Sequence, residues 1–190
     1  RISKGKPMMK KIRRENHTVF YSRFDREGHL KLDTWSDLLQ EAAAHHADDL
    51  GIGMRDLAKK GLFWVLAQVK VAISGDPAPG ENVEVVTYPS GGRRLFATRE
   101  FRISGADGRE LLRGSSRWVM LAEKNMRPQS FPTFAEYLPD NSDLPVYFDF
   151  SERLPASENF DFSTAFPVRH SMEDLNGHLN NAAYLAAAQD

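Results

Sequence analysis

Within MEDLNGHLNN, residues 172–181, the chain places Asp174, Asn176, Gly177, His178, Asn180 and Asn181 almost side by side. A histidine moves protons near neutral pH. A carboxylate can orient it or activate a water, and an amide can donate to a substrate or position that water. Glycine lets the backbone approach a ligand closely. If a helix begins near Asn180, in the AAYLAAA run that follows, its unpaired N–H groups and partial positive charge face the same place. Such an end can polarise a carbonyl and hold a developing oxyanion. The inventory suits hydrolysis of an activated acyl group. Asn, Asp and Gly ahead of an Ala-rich helix are also ordinary capping residues, so residue types alone leave both readings open.

Other candidates carry less. Glu41 and His45 stand one helical turn apart near Asp48 and Asp49, which reads as a metal site or, more simply, a solvated helix face. His46 falls on an apolar face and reads as a core histidine. Phe63 and Trp64 read as cavity lining or as core. Arg93, Arg94, Arg99, Arg102, Arg109, Arg113 and Arg117 crowd one hairpin, either keeping a sheet soluble or steering an acidic partner.

Elements must position these groups. HTVFYSRF, 17–24, is aromatic and roughly alternating and predicts a strand. Thr34 can cap a helix whose apolar face is Trp35, Leu38, Leu39, Ala42, Ala43, His46 and Leu50, with Gly51 and Gly53 as the stop. Strands are predicted over 62–73, 82–89, 93–103 and 110–121, separated by turn clusters such as Asp107-Gly108. One helix among antiparallel strands gives an α+β unit, a sheet wrapped around a long helix. Beyond residue 127, Pro128, Pro132, Pro139, Pro145, Pro155 and Pro167 interrupt any long element.

The opening then recurs. Residues 168–190 align without a gap on 19–41, so that Asp25 meets Asp174, Gly28-His29-Leu30 meets Gly177-His178-Leu179, and Gln40 meets Gln189. A repeat that keeps the order strand, turn, helix is an architectural signal. The second copy differs where chemistry is concerned: Glu27 becomes Asn176, and Lys31-Leu32 become Asn180-Asn181.

Composition excludes several classes. The 190 residues are 41% hydrophobic and 27% charged, which is globular, and a net charge of −1 carries no polyanion-binding signature. Absence of cysteine excludes disulfides, cysteine-rich zinc sites and a thiol nucleophile. Apolar runs such as LFWVLA at 62–67 are too short to span a bilayer. The basic opening lacks the apolar core of a secretory signal.

DLNGHLNNAAYL resembles the active-site segment of the acyl-acyl-carrier-protein thioesterases of plants and bacteria. LLQEAAAHHADDLGIG, GLFWVLAQVKV, RRLFATREFRI and GSSRWVML resemble that family's first half in the same order. The lack of cysteine and of a long transit peptide fits the bacterial branch. The resemblance implies a tandem double hot-dog fold: a first domain over 1–126, a proline-rich linker over 127–165, and the start of a second domain over 166–190, incomplete in this chain. It implies hydrolysis of fatty acyl thioesters on acyl carrier protein, with no metal or organic cofactor, in the cytoplasm, with homodimerisation left open. Asp174, Asn176 and His178 fall on the catalytic positions, with a further acidic or cysteine residue expected beyond Asp190. Gly177, Asn180 and Trp64 fall to substrate binding. The acidic carrier would dock on the arginine-rich hairpin or on Lys10, Lys11, Arg13 and Arg14. The competing readings are a hot-dog acyl-CoA thioesterase or hydratase, and a non-catalytic acyl-binding module.

Overall fold

The apolar stripe of the long helix becomes the centre of the molecule. In a computed structural model that describes residues 11–152, 162–175 and 177–189, α1 (Leu32–Asp49) buries Trp35, Leu39, Ala42, Ala43 and His46 on one face. Five long strands cover that face: β1 (Arg13–Thr18), β2 (Leu62–Ile73), β3 (Asn82–Arg93), β4 (Phe96–Ser104) and β5 (Glu110–Ala122). They form an antiparallel sheet in the order β1-β3-β4-β5-β2, with the short β6 (Arg127–Pro128) added to β5. Val83 and Val85 of β3, Phe101 and Ile103 of β4, and Leu111 and Leu112 of β5 close over Trp35, Leu39 and Ala42 as one cluster. A second cluster, with Ile52, Leu57, Ala97, Met120 and Phe134, lies beyond the end of α1. There the chain forms α2 (Met54–Ala58), a helix that the periodicity did not predict.

Two expectations need correction. The predicted strand at 17–24 is displaced: the strand is β1, and Tyr21–Arg23 form a 3-10 turn. β1 is an edge strand with no apolar residue, held to β3 by the Arg14–Glu84 ion pair at 3.1 Å and the Thr18–Asn82 hydrogen bond at 2.6 Å. Charged residues are what protects an edge, so an apolar pattern was the wrong signal. Thr34 does not cap α1. The helix begins at Leu32, and the Thr34 hydroxyl instead bonds Asp33. The Leu32 N–H, one of the helix's orphan donors, is accepted by the side chain of Gln189 at 2.9 Å.

The repeat is visible in geometry. Tyr21–Arg23 and His170–Met172 are 3-10 turns 149 residues apart, and α1 and α3 (Asn181–Gln189) begin at the same offset. Isolated bridges join Phe24 to Leu30 and Glu173 to Leu179. The two helix openings pack against each other. Gln40 meets Asn181 at 2.8 Å, while Gln189 meets Leu32. Gln40 matches Gln189 and Leu32 matches Asn181 in the repeat, so the contacts are reciprocal, as across a two-fold axis.

One carboxyl group pins the periphery. Glu81, ahead of β3, accepts from Arg109, Ala78 and Ala106, tying the β2–β3 loop to the β4–β5 hairpin. The Arg109 guanidinium, with those backbone N–H groups, pushes the Glu81 carboxyl down to about 2. Its folded pKa lies below its unfolded value. The stabilisation is therefore complete above about pH 4.5 and is lost as pH falls towards 2. Glu81→Gln is expected to flatten that part of the acid limb in denaturation midpoints measured between pH 5 and 2. An unchanged limb would assign it to other groups.

Candidate active site

The segment around His178 owes its shape to Asp174 and Gly177. The Asp174 N–H donates to the His178 carbonyl at 2.8 Å, and the Gly177 N–H donates to the Asp174 carbonyl at 3.0 Å. The Asp174 carboxylate accepts the His178 backbone N–H at 3.2 Å. Gly177 has φ +70°, a conformation that glycine adopts without strain. The first copy builds the same loop: Asp25 accepts the His29 N–H at 2.8 Å, and Gly28 has φ +86°.

The two histidines nevertheless have different employment. The His29 ring is bonded to Asp76 at 2.9 Å, and the carboxylate holds its imidazolium above the usual range. The ring of His178 is exposed and has no such partner among the described residues. One turn is closed by a carboxylate from the loop after β2, while the other presents an available imidazole.

That imidazole faces a groove of about 1510 Å³, above the range of ordinary small-molecule pockets of about 300–1,000 Å³. Asp174, Gly177, His178 and Asn180 line one side, and Trp64 with Leu66 of β2 lines another. Trp64 is fixed by a 3.0 Å bond from its indole N–H to the Ile52 carbonyl and by an edge contact with Phe134 at 5.1 Å. Asn180 also caps α3, its side-chain oxygen accepting the Ala182 N–H at 2.9 Å. One of the helix N-terminal donors considered for an oxyanion is therefore already satisfied. Of the sequence-level candidates, Asp174, Gly177, His178, Asn180 and Trp64 border this one groove. Asn176 lies outside the described residues.

The remaining candidates separate. The His45 ring donates to the Glu15 carboxylate at 2.8 Å, joining α1 to β1. His46 is fully buried, as its place in the apolar stripe predicts. The arginines do not form one face. Arg109 clamps Glu81 and Asp107, and Arg117 stacks over Phe96 while bonding Gln68. Arg99 turns inward and also lines the groove. It went unrecognised as an interior group, although the alternating row Ala97, Arg99, Phe101, Ile103 held the signal. Lys11, Arg13 and Arg14 each face an acid, respectively Asp143, Asp49 and Glu84. Lys10 lies outside the described residues.

Comparison with known proteins agrees with the geometry. The sequence profile described as Acyl-ACP thioesterase N-terminal domain matches residues 10–135. Acyl-[acyl-carrier-protein] hydrolase FATB2 of Cuphea viscosissima is 28% identical over 188 residues, covering 90% of this chain and 45% of that protein. The chain thus spans about half the length of that relative. An acyl-ACP thioesterase from Bacteroides thetaiotaomicron superposes with a TM-score of 0.83 at 23% identity, covering 94% of this chain and 72% of the other. An oleoyl thioesterase, described as such provisionally, from Lactobacillus plantarum superposes with a TM-score of 0.76 at 28% identity, covering 92% and 69%. These likenesses agree with the hot-dog architecture that the helix and its curled sheet display.

Proposed function

The chain belongs to the acyl-ACP thioesterase family, and we propose that it takes part in hydrolysing fatty acyl thioesters of acyl carrier protein to free fatty acid and carrier thiol. The observation that carries this reading is the exposed His178 ring on the same groove as Trp64, with a loop built by Asp174 and Gly177 beneath it. His178 removes a proton from water as the oxygen attacks the thioester carbonyl. The carbon–sulfur bond then breaks, and the proton passes to the departing thiolate. Asn176 donates to the carbonyl oxygen or holds the water. Asp174 acts through the loop, since its carboxylate holds the His178 backbone. The apolar groove past Trp64 receives the acyl chain. Gly177 and Asn180 keep the wall of the site close to the thioester. The chemistry requires no metal or organic cofactor.

The acidic carrier protein would meet Arg93 and Arg94, which are exposed at the β3–β4 turn and face no acid among the described residues. Among the other described basic candidates, Lys11, Arg13, Arg14, Arg109 and Arg113 face acids, Arg117 stacks on Phe96, Arg99 is buried and Arg102 is partly buried. Cytoplasmic location is an expectation within this proposal, with homodimer assembly left open. Among the described residues, no helix is long and apolar enough to cross a membrane.

The test is thiol release from matched acyl-carrier-protein and acyl-CoA substrates of graded chain length. Faster release from the carrier-protein series supports the proposal. Equal or faster release from the CoA series moves the activity to the CoA class. Binding with no release from either series sinks hydrolysis.

A further inference from the structure

The inner wall of the groove contains a cation with no counter-ion among the described residues. Arg99 is 8% exposed and projects from the face of β4 that also carries Ala97, Phe101 and Ile103. Ala97 belongs to one apolar cluster, and Phe101 and Ile103 to the other. Arg99 therefore sits between the two halves of the core. It is joined there by other buried polar groups. His46 of α1 lies 3.1 Å from its Nη1, and the Thr87 hydroxyl of β3 lies 3.2 Å from the same nitrogen. Ser116 of β5 stands opposite Arg99 in the strand register and accepts from the Trp118 indole at 2.7 Å. A polar belt thus crosses an otherwise apolar interior.

Two features set this belt apart from a filler. A buried cation is ordinarily paired with a carboxylate, yet no acid among the described residues forms an ion pair with Arg99. Burial pushes its pKa down to about 10, and no charged neighbour offsets that effect. Secondly, both of its hydrogen bonds leave from Nη1. A guanidinium also carries N–H groups on Nε and Nη2, and neither atom has a protein acceptor among the described residues. Arg99 lines the same groove as Trp64 and His178. Its uncommitted donors belong to the wall along which an acyl chain would lie.

Resting on the thioesterase reading of this groove, we propose that Arg99 is a specificity determinant for acyl chains that carry an oxygen, a hydroxyl or keto group. That oxygen would accept the free N–H groups of the guanidinium. A fully saturated chain entering the same space would strip those donors of water and return no acceptor. A site built to hydrogen-bond a substrate oxygen discriminates strongly against the analogue lacking it, and a charge-assisted bond is worth about tenfold or more in affinity.

The test compares kcat/KM for saturated and oxygen-bearing acyl chains of equal length on acyl carrier protein, using the full-length protein and its Arg99→Met and Arg99→Gln variants. The expected wild-type preference for the oxygenated chain is about tenfold or more. Arg99→Met should abolish the preference, mainly through KM, and Arg99→Gln should retain part of it. An equal or reversed wild-type preference overturns the proposal without needing any variant to fold. So does a preference that survives in folded Arg99→Met. If neither substrate is turned over, the thioesterase reading fails separately. Binding of the saturated and oxygenated free fatty acids, followed by calorimetry, then decides: tighter binding of the oxygenated acid supports the Arg99 site, and equal binding overturns it.

Discussion

Replacing His178 with alanine is expected to lower kcat/KM for thioester hydrolysis by about 10²–10⁴-fold, the usual contribution of a positioned general acid–base group, with the fold intact. The ring is exposed, and the described hydrogen bonds of His178 run through its backbone N–H and carbonyl, so truncation leaves no buried group unpartnered. The molecule supplies its own control. His29 occupies the matching position in a loop with the same hydrogen bonds, yet its ring is held by Asp76. His29→Ala should leave the rate within about twofold, because a ring already committed to a carboxylate does not supply the groove's base. Asn176→Ala should reduce the rate by about 10²–10³-fold if its amide steadies the oxyanion. Asp174→Asn should be milder than Asp174→Ala, because the amide oxygen can still accept the His178 N–H. Steady-state thiol release checks all of these. If His178→Ala and His29→Ala lose activity equally, the two loops share a structural role and the catalytic assignment fails.

The contrast between those histidines shows what a sequence can and cannot display. The loop was legible because it is written locally: an Asp, a Gly three residues on and a His one further specify the turn twice, at one offset. The difference in employment was not legible, because it depends on Asp76, which lies 47 residues beyond His29. The same limit explains the cap of α1. Thr34 is the best local candidate, whereas the donor at Leu32 is satisfied by Gln189 from the other copy, 157 residues away. β1 was displaced because this edge strand carries only polar and charged residues, one way a sheet edge is protected, so the aromatic run beside it looked more strand-like. The interior of the sheet was legible through its alternation. The grouping of Asp174, Gly177, His178 and Asn180 required only proximity in sequence. Trp64 joined them through family resemblance, and its fixation by Ile52 and Phe134 emerged only in three dimensions.

Glu100→Ala is expected to destabilise the protein by on the order of 3 kcal/mol and to open residues 145–150 to protease. Glu100 is fully buried on the outer face of β4. Its carboxyl group accepts from the Ser90 hydroxyl at 2.6 Å, the Ser115 hydroxyl, and the Tyr147 N–H at 3.0 Å. The Phe148 N–H then donates to Ser115 at 2.9 Å, and the Tyr88 hydroxyl donates to the Pro145 carbonyl at 2.7 Å. This segment has no regular secondary structure, so its backbone groups depend on such partners. The serine hydroxyls can rotate: Ser90 retains Thr98 at 3.0 Å. The Tyr147 N–H cannot, and it would be left beside a new void. Glu100→Gln keeps an acceptor and similar volume and should lose about 1 kcal/mol. Urea denaturation gives the stabilities, and limited proteolysis reads the segment directly. Loss of less than about 1 kcal/mol in Glu100→Ala, with unchanged cleavage, would show that Tyr88 and the Arg117–Phe150 contacts hold the segment without Glu100.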